Sequence, residues 1–188
     1  MKRIGILGDI GSGKSFVSKC FGFPVFNADS EVEKIYKNDE DVFRKLQKKL
    51  PQYFKSFPVK KTNVINAILS NKQNLKKIIL IVHHKVRKKL QVFLKENKRQ
   101  KIVILDIPLL LENNLNKKED ILIFVDSSRI EILKRLKKRK NFNIQLFRNF
   151  RKIQLSLDKK RSKSKFIIKN NFRKNSVKVC VKKILKKI

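Results

Sequence analysis

Eight consecutive residues, Gly8-Asp9-Ile10-Gly11-Ser12-Gly13-Lys14-Ser15, leave this chain little freedom in how it folds. They complete the pattern G-x-x-x-x-G-K-[ST] directly behind the apolar run Ile4-Gly5-Ile6-Leu7. The pattern calls for a buried strand, a tight glycine turn and a helix starting near Ser15. Glycine is needed because backbone N–H groups must approach phosphates with no Cβ in the way. In that geometry Lys14 reaches β- and γ-phosphates, and the Ser15 hydroxyl can ligate Mg²⁺. The helix N-terminus adds its partial positive charge to the same anion.

Further along, apolar runs of strand length alternate with helical spacing. The runs are Arg3–Leu7, Pro24–Phe26, Ile102–Asp106, Ile121–Asp126 and Phe166–Ile168. Short continuous runs suit strands buried on both faces of a parallel sheet. Between them, Val86, Leu90, Phe93 and Leu94 mark one helix, and Ile130, Leu133 and Leu136 another. Val177, Val181, Ile184, Leu185 and Ile188 form a closing helical stripe. Alternating β and α elements imply an α/β fold with right-handed crossovers and ligands at the carboxyl ends of the strands. At 188 residues the chain holds one domain, residues 1–188. The stretch 31–95 lacks a clear strand and reads as a helical insertion over the mouth of the sheet. A basic segment, 137–165, carries Arg139, Arg148, Arg151 and Arg161 and reads either as a lid or as a solvated charged face.

Composition narrows the classes. The hydrophobic fraction of 41% is that of a folded chain, although 34% of residues are charged. No apolar run reaches the ~20 residues of a membrane span. The opening MKRIGILGD enters the first strand at once, which predicts no signal peptide. Cys20 and Cys180 stand at opposite ends, without metal or disulfide spacing, and fit a reducing cytoplasm. Cys20 lies on the apolar side of the first helix and reads as a buried free thiol. The net charge of +34 has two readings: a polyanion-binding surface, or lysine filling tolerant surface sites. The second is preferred, because the lysines are spread over helix faces and no aromatics are interleaved with the basic runs.

Acids at strand ends carry the chemistry. The second strand runs into Asn27-Ala28-Asp29, and a carboxylate there can accept a hydroxyl proton or hold Mg²⁺ through water. The same Asp29 can also cap a helix beginning near Ser30. The third strand ends at Asp106 and continues Ile107-Pro108-Leu109-Leu110-Leu111-Glu112; four apolar residues before the acid resemble a Walker-B strand. Asp126 ends the fourth strand, and with Ser127-Ser128 behind it reads as structural.

Together these segments resemble the dephospho-coenzyme A kinase family over nearly the whole chain. The matching residues are the glycine loop, Asn27-Ala28-Asp29, His83-His84-Lys85-Val86-Arg87, Asp106 to Glu112, Arg135 to Arg139, Gln154, and Lys160 through Asn170. The resemblance implies a P-loop kinase: a three-layer α/β/α fold with a five-stranded parallel sheet, a helical substrate-binding insertion and a lid. It implies phosphoryl transfer from ATP, with Mg²⁺, to the ribose 3′-hydroxyl of dephospho-coenzyme A, the last step of coenzyme A synthesis. By position, Gly11, Ser12, Gly13, Lys14, Ser15 and Phe16 would hold the ATP phosphates, with Ser15 on the metal. Asp29 would be the catalytic carboxylate, working with Lys14 and with Arg139 of the lid. Asp29, His83, Arg87, Asp106 and Glu112 would bind the acceptor. The expected partner is this small molecule, with no specific nucleic acid and no membrane, and the chain is expected to be a cytoplasmic monomer.

The chain also departs from the family pattern. Asp9 stands where glycine is usual; a carboxylate about 5 Å from the γ-phosphate would cost roughly 3 kcal/mol at an effective dielectric of 20, so it should point away. His84 replaces a proline at the expected start of a helix. Phe150 stands where many relatives have a lid arginine, leaving Arg148 or Arg151 to substitute. Lys165 and Lys169 occupy usually acidic positions, and Phe172 replaces a turn residue. The rival readings are another small-molecule P-loop kinase, a nucleic-acid-binding P-loop protein, and a non-catalytic homologue.

Overall fold

The computed structural model describes residues 1–138 and 142–188. The chain divides into two compact units: residues 1–27, 94–142 and 151–188 form the first, and residues 28–93 and 143–150 the second.

The first unit is built on a five-stranded sheet. Its strands are β1 (Lys2–Gly8), β2 (Val25–Asn27), β3 (Ile102–Asp106), β4 (Ile121–Asp126) and β5 (Phe166–Lys169). They pair in parallel in the order β2-β3-β1-β4-β5. Each apolar run of the sequence became a strand, with no bound shifted by more than one residue. The central β1, β3 and β4 are buried almost end to end, as apolar runs covered on both faces should be. The edge strand β5 is largely exposed, and Lys165 and Lys169 at its ends are charges of the kind that discourage pairing with a second chain.

Two helices cover one face, α1 (Lys14–Cys20) and α9 (Lys174–Leu185). Val17 and Phe21 from the first, and Val177, Val181 and Ile184 from the second, pack with Ile4, Ile6, Ile104, Ile123 and Ile168. On the opposite face, a Cβ at Gly5 would lie 2.8 Å from Leu122 Cδ2 and would also strike Leu110, so this face closes tightly on the segment after β3. Helix α8 (Leu157–Ser162) packs near β1, completing the α/β/α layering. Burial of Ile132 and Leu136 anchors α6 (Arg129–Lys137), whereas Ile130 is 75% exposed. Of the three residues that marked this helix, Leu136 is buried and Leu133 partly so, and only Ile130 faces solvent. Cys20 and Cys180 are free thiols, half-buried rather than fully buried.

The second unit is helical: α2 (Ala28–Asn38), α3 (Glu40–Lys49), α4 (Lys61–Ser70) and the long α5 (Lys72–Glu96), most of which belongs to it. Leu75, Ile78, Val82, Val86 and Leu90 make one buried stripe along α5, at spacings of three and four. With no proline to interrupt it, this stripe carries the helix straight through His83 and His84. The helix start expected there does not exist. Also from this unit begins α7 (Ile144–Lys152), which crosses into the first at Arg151.

Asp39 closes the N-terminus of α3: its Oδ1 accepts the Val42 N–H at 3.1 Å, and its Oδ2 lies 2.9 Å from Lys85 Nζ on α5. Partial burial opposes its charge, but the Lys85 contact and the Val42 N–H together hold the carboxyl below its usual range. Loss of an N-cap costs about 1–2 kcal/mol. Asp39→Ala is therefore expected to lower unfolding free energy by that amount in urea titrations; an unchanged midpoint would remove the cap from the account.

Candidate active site

The glycine loop leaves β1 where Gly8 pairs with Val125 of β4. Gly8 has φ 148°, and a Cβ there would lie 2.8 Å from the Val125 carbonyl oxygen. Gly13, at φ 88°, caps α1, and a Cβ on it would strike the Asn170 carboxamide. Only glycine satisfies both the backbone sign and the space. The loop is held from outside as well. The Ser12 carbonyl accepts from Ser127 Oγ at 2.9 Å and from Asn170 Nδ2 at 2.8 Å, so residues after β4 and β5 brace its shape. Lys14 lies along its own loop, donating to the carbonyls of Asp9 at 2.8 Å and Gly8 at 3.4 Å. The amine is thus stationed over the cradle that its neighbours form.

Beside the loop, β2 and β3 end in register, with Asn27 opposite Asp106. Asn27 Nδ2 donates to Asp106 Oδ2 at 2.6 Å and approaches Ser15 Oγ at 3.5 Å. A carboxamide therefore gathers the loop hydroxyl and the strand-end carboxylate, which is only 3% exposed. Nothing in the sequence pattern singles out Asn27 beyond its place two residues before Asp29. Asn170 and Ser127 stand in segments the sequence marked, but nothing there pointed to their contacts with the Ser12 carbonyl.

Glu112 lies in a different setting. Its Oε1 is 2.9 Å from Lys160 Nζ and accepts the Leu155 N–H at 2.9 Å. Lys160 is 1% exposed and also donates to Gln154 Oε1 at 2.8 Å. This buried pair ties the segment after β3 to the start of α8. Its remaining oxygen, Glu112 Oε2, is buried without a hydrogen-bond partner among the described residues.

Three of the sequence-designated residues belong to the second unit. Asp29 sits exposed in the first turn of α2, not at the cap position, because the helix begins one residue earlier at Ala28. An acid in a first turn is favoured by the helix dipole. His83 and Arg87 stand four residues apart on α5, so they share one face of that helix. Arg139 lies outside the described residues.

Burial, aided by the Arg87 charge, pushes the His83 imidazole below its ordinary 6.5. The folded chain therefore resists a proton that the unfolded chain accepts, and stability falls as pH drops below 6.5 through the folded value. His83→Gln is expected to flatten that acid-side loss, read from denaturation midpoints at about pH 7.5 and about pH 5.5. Equal losses in variant and wild type would contradict it.

Comparison with known proteins bears on this geometry. The family model described as dephospho-CoA kinase matches residues 2–175. A dephospho-CoA kinase of Wolbachia pipientis wMel is 33% identical over 187 residues, covering 97% of this chain and 95% of that protein. One from Ehrlichia canis (strain Jake) is 31% identical over 191 residues, covering 98% and 95%. Among solved structures, a Thermus thermophilus protein superposes with a TM-score of 0.77 at 24% identity, over 100% of this chain and 97% of that one. A dephospho-CoA kinase from Campylobacter jejuni gives a TM-score of 0.65 at 21% identity, over 99% and 96%, a likeness of fold. With relatives matching end to end, and a phosphate loop braced beside a buried strand-end acid, the chain belongs to the dephospho-CoA kinase family.

Proposed function

We propose that Asp29 is the carboxylate that orients the acceptor hydroxyl and takes its proton, while Lys14 and the amides of Gly11 to Phe16 hold the phosphates of ATP. The reaction itself is the family's: ATP-dependent phosphorylation of dephospho-CoA, the final step of coenzyme A biosynthesis. On this reading the ribose 3′-oxygen attacks the γ-phosphorus, the bond to the β-γ bridging oxygen breaks, and ADP leaves. Positioning and charge stabilisation supply the rate, since phosphoryl transfer needs little covalent chemistry from the protein.

One observation carries the reading: the Asn27 carboxamide joins Asp106 to Ser15 at the mouth of the phosphate loop. A hydroxyl and a buried carboxylate are hard oxygen donors, and Mg²⁺ commonly takes one or two protein oxygens alongside substrate phosphates. Ser15, with Asp106 behind it, would hold that ion, which when bound neutralises charge on the transferred group. His83, Arg87, Asp106 and Glu112 are assigned to the acceptor, the helical insertion 31–95 to its binding, and the basic segment 137–165 to closure over ATP with Arg139. Lid arginines exclude water, which otherwise consumes ATP by hydrolysis.

No helix among the described residues is long and apolar enough to cross a membrane. The chain is assigned to the cytoplasm as a monomer without a specific nucleic-acid partner, its +34 charge residing in dispersed surface lysines. A coupled assay with ATP, Mg²⁺ and dephospho-CoA tests the whole. ADP release that depends on the acceptor is expected, and release unchanged without acceptor would overturn it. DNA-stimulated ATP hydrolysis would overturn the partner assignment.

A further inference from the structure

Among 49 basic residues and 15 acidic ones, an acid stands inside the loop that must bind an anion. Asp9 directly follows the first glycine of the loop and is 6% exposed. A unit charge about 5 Å from a phosphate, at an effective dielectric near 20, weakens binding on the order of a hundredfold. The fold must therefore cancel this charge or forfeit the site.

Its surroundings show how. Asp9 Oδ1 is turned back onto the loop, accepting the Ile10 N–H at 2.8 Å. Its Oδ2 faces Arg151 Nη2 at 3.6 Å, across from the last turn of α7. Lys14 Nζ meets the same residue at its backbone, donating to the Asp9 carbonyl at 2.8 Å. The next acid along the same cleft, Asp126 at the end of β4, is matched by Arg161 Nη1 at 3.2 Å. Each carboxylate on this side of the loop thus has its own arginine from the stretch 151–161.

We propose that Arg151 is a positioning residue for nucleotide binding: it cancels Asp9 and so keeps the loop receptive to a triphosphate, acting through Asp9 and not on the nucleotide. At 3.6 Å the contact is an ion pair and not a hydrogen bond, so charge matters more than the shape of the guanidinium. The inference rests on the loop being the ATP-phosphate site, and Lys14→Ala serves as the control for that reading.

The test is a double-substitution cycle on the full chain, with ATP affinity measured by calorimetry and melting temperature recorded for every variant. Arg151→Gln is expected to weaken ATP binding about tenfold or more at low salt, less at high salt. Arg151→Lys should stay within about threefold of wild type, and Asp9→Asn should bind as well as wild type or better. Asp9→Asn with Arg151→Gln should return to within about threefold of Asp9→Asn alone. Unchanged affinity in Arg151→Gln overturns the proposal, and so does a double variant as weak as the single one, which would put Arg151 on the nucleotide directly. Should Arg151→Gln fail to fold, the double variant compared with Asp9→Asn decides by the same rule. Normal ATP binding by Lys14→Ala would instead sink the loop reading itself.

Discussion

Asp29→Asn lowers kcat by about 10²- to 10⁴-fold while ATP affinity stays near that of wild type. The substitution keeps the size and polarity of the side chain but removes the ability to take a proton. Asn is tolerated near a helix start, so the first turn of α2 should lose little stability. ATP is assigned to the loop, and Asp29 to the acceptor; the effect should therefore fall on turnover. Steady-state kinetics with varied dephospho-CoA, paired with direct ATP titration, separate the two. Wild-type kcat in this variant would mean that the hydroxyl proton leaves by another route and that the base assignment is wrong.

Lys14→Ala removes about 2–4 kcal/mol of transition-state stabilisation, or on the order of 30- to 1000-fold in kcat/KM. The amine donates to carbonyls of its own loop at 2.8 and 3.4 Å. Those bonds are worth about 1 kcal/mol each to the fold. The expected signature is a large kinetic loss with a small shift in melting temperature. A collapse of the fold would show that the lysine chiefly shapes the loop, and retained turnover would contradict its place on the γ-phosphoryl group.

The Asp9 geometry bears on both experiments. The Asp9 carboxylate accepts the Ile10 N–H and faces Arg151. Either variant is therefore measured in a loop whose net charge depends on a residue far away in the chain. Changes in ionic strength should move ATP affinity through that pair as well as through Lys14, so both variants are best compared at one fixed salt concentration.

Features that depend on neighbouring residues could be read directly from the chain. The glycine loop is legible because its chemistry is local: amides, a lysine and a hydroxyl brought together by eight consecutive residues. The five strands are legible because burial on both faces demands unbroken apolar runs, and even the two edge strands were bounded to within one residue. Helix phase was less secure. Ile130 looked like core on α6 but faces solvent, since a short periodic run allows more than one buried face. His83 and His84 looked like a helix start but lie within α5, whose apolar stripe outweighs any local preference. Beyond the reach of the sequence were the partners: Asn170 and Ser127 on the Ser12 carbonyl, Lys160 on Glu112, Arg151 on Asp9. Each joins residues distant in the chain, through side chains whose type is common everywhere in so basic a protein. Such pairs leave no periodic trace; they come into being only when parallel strands carry their carboxyl ends to one edge of the sheet and burial drives the polar groups there to find partners.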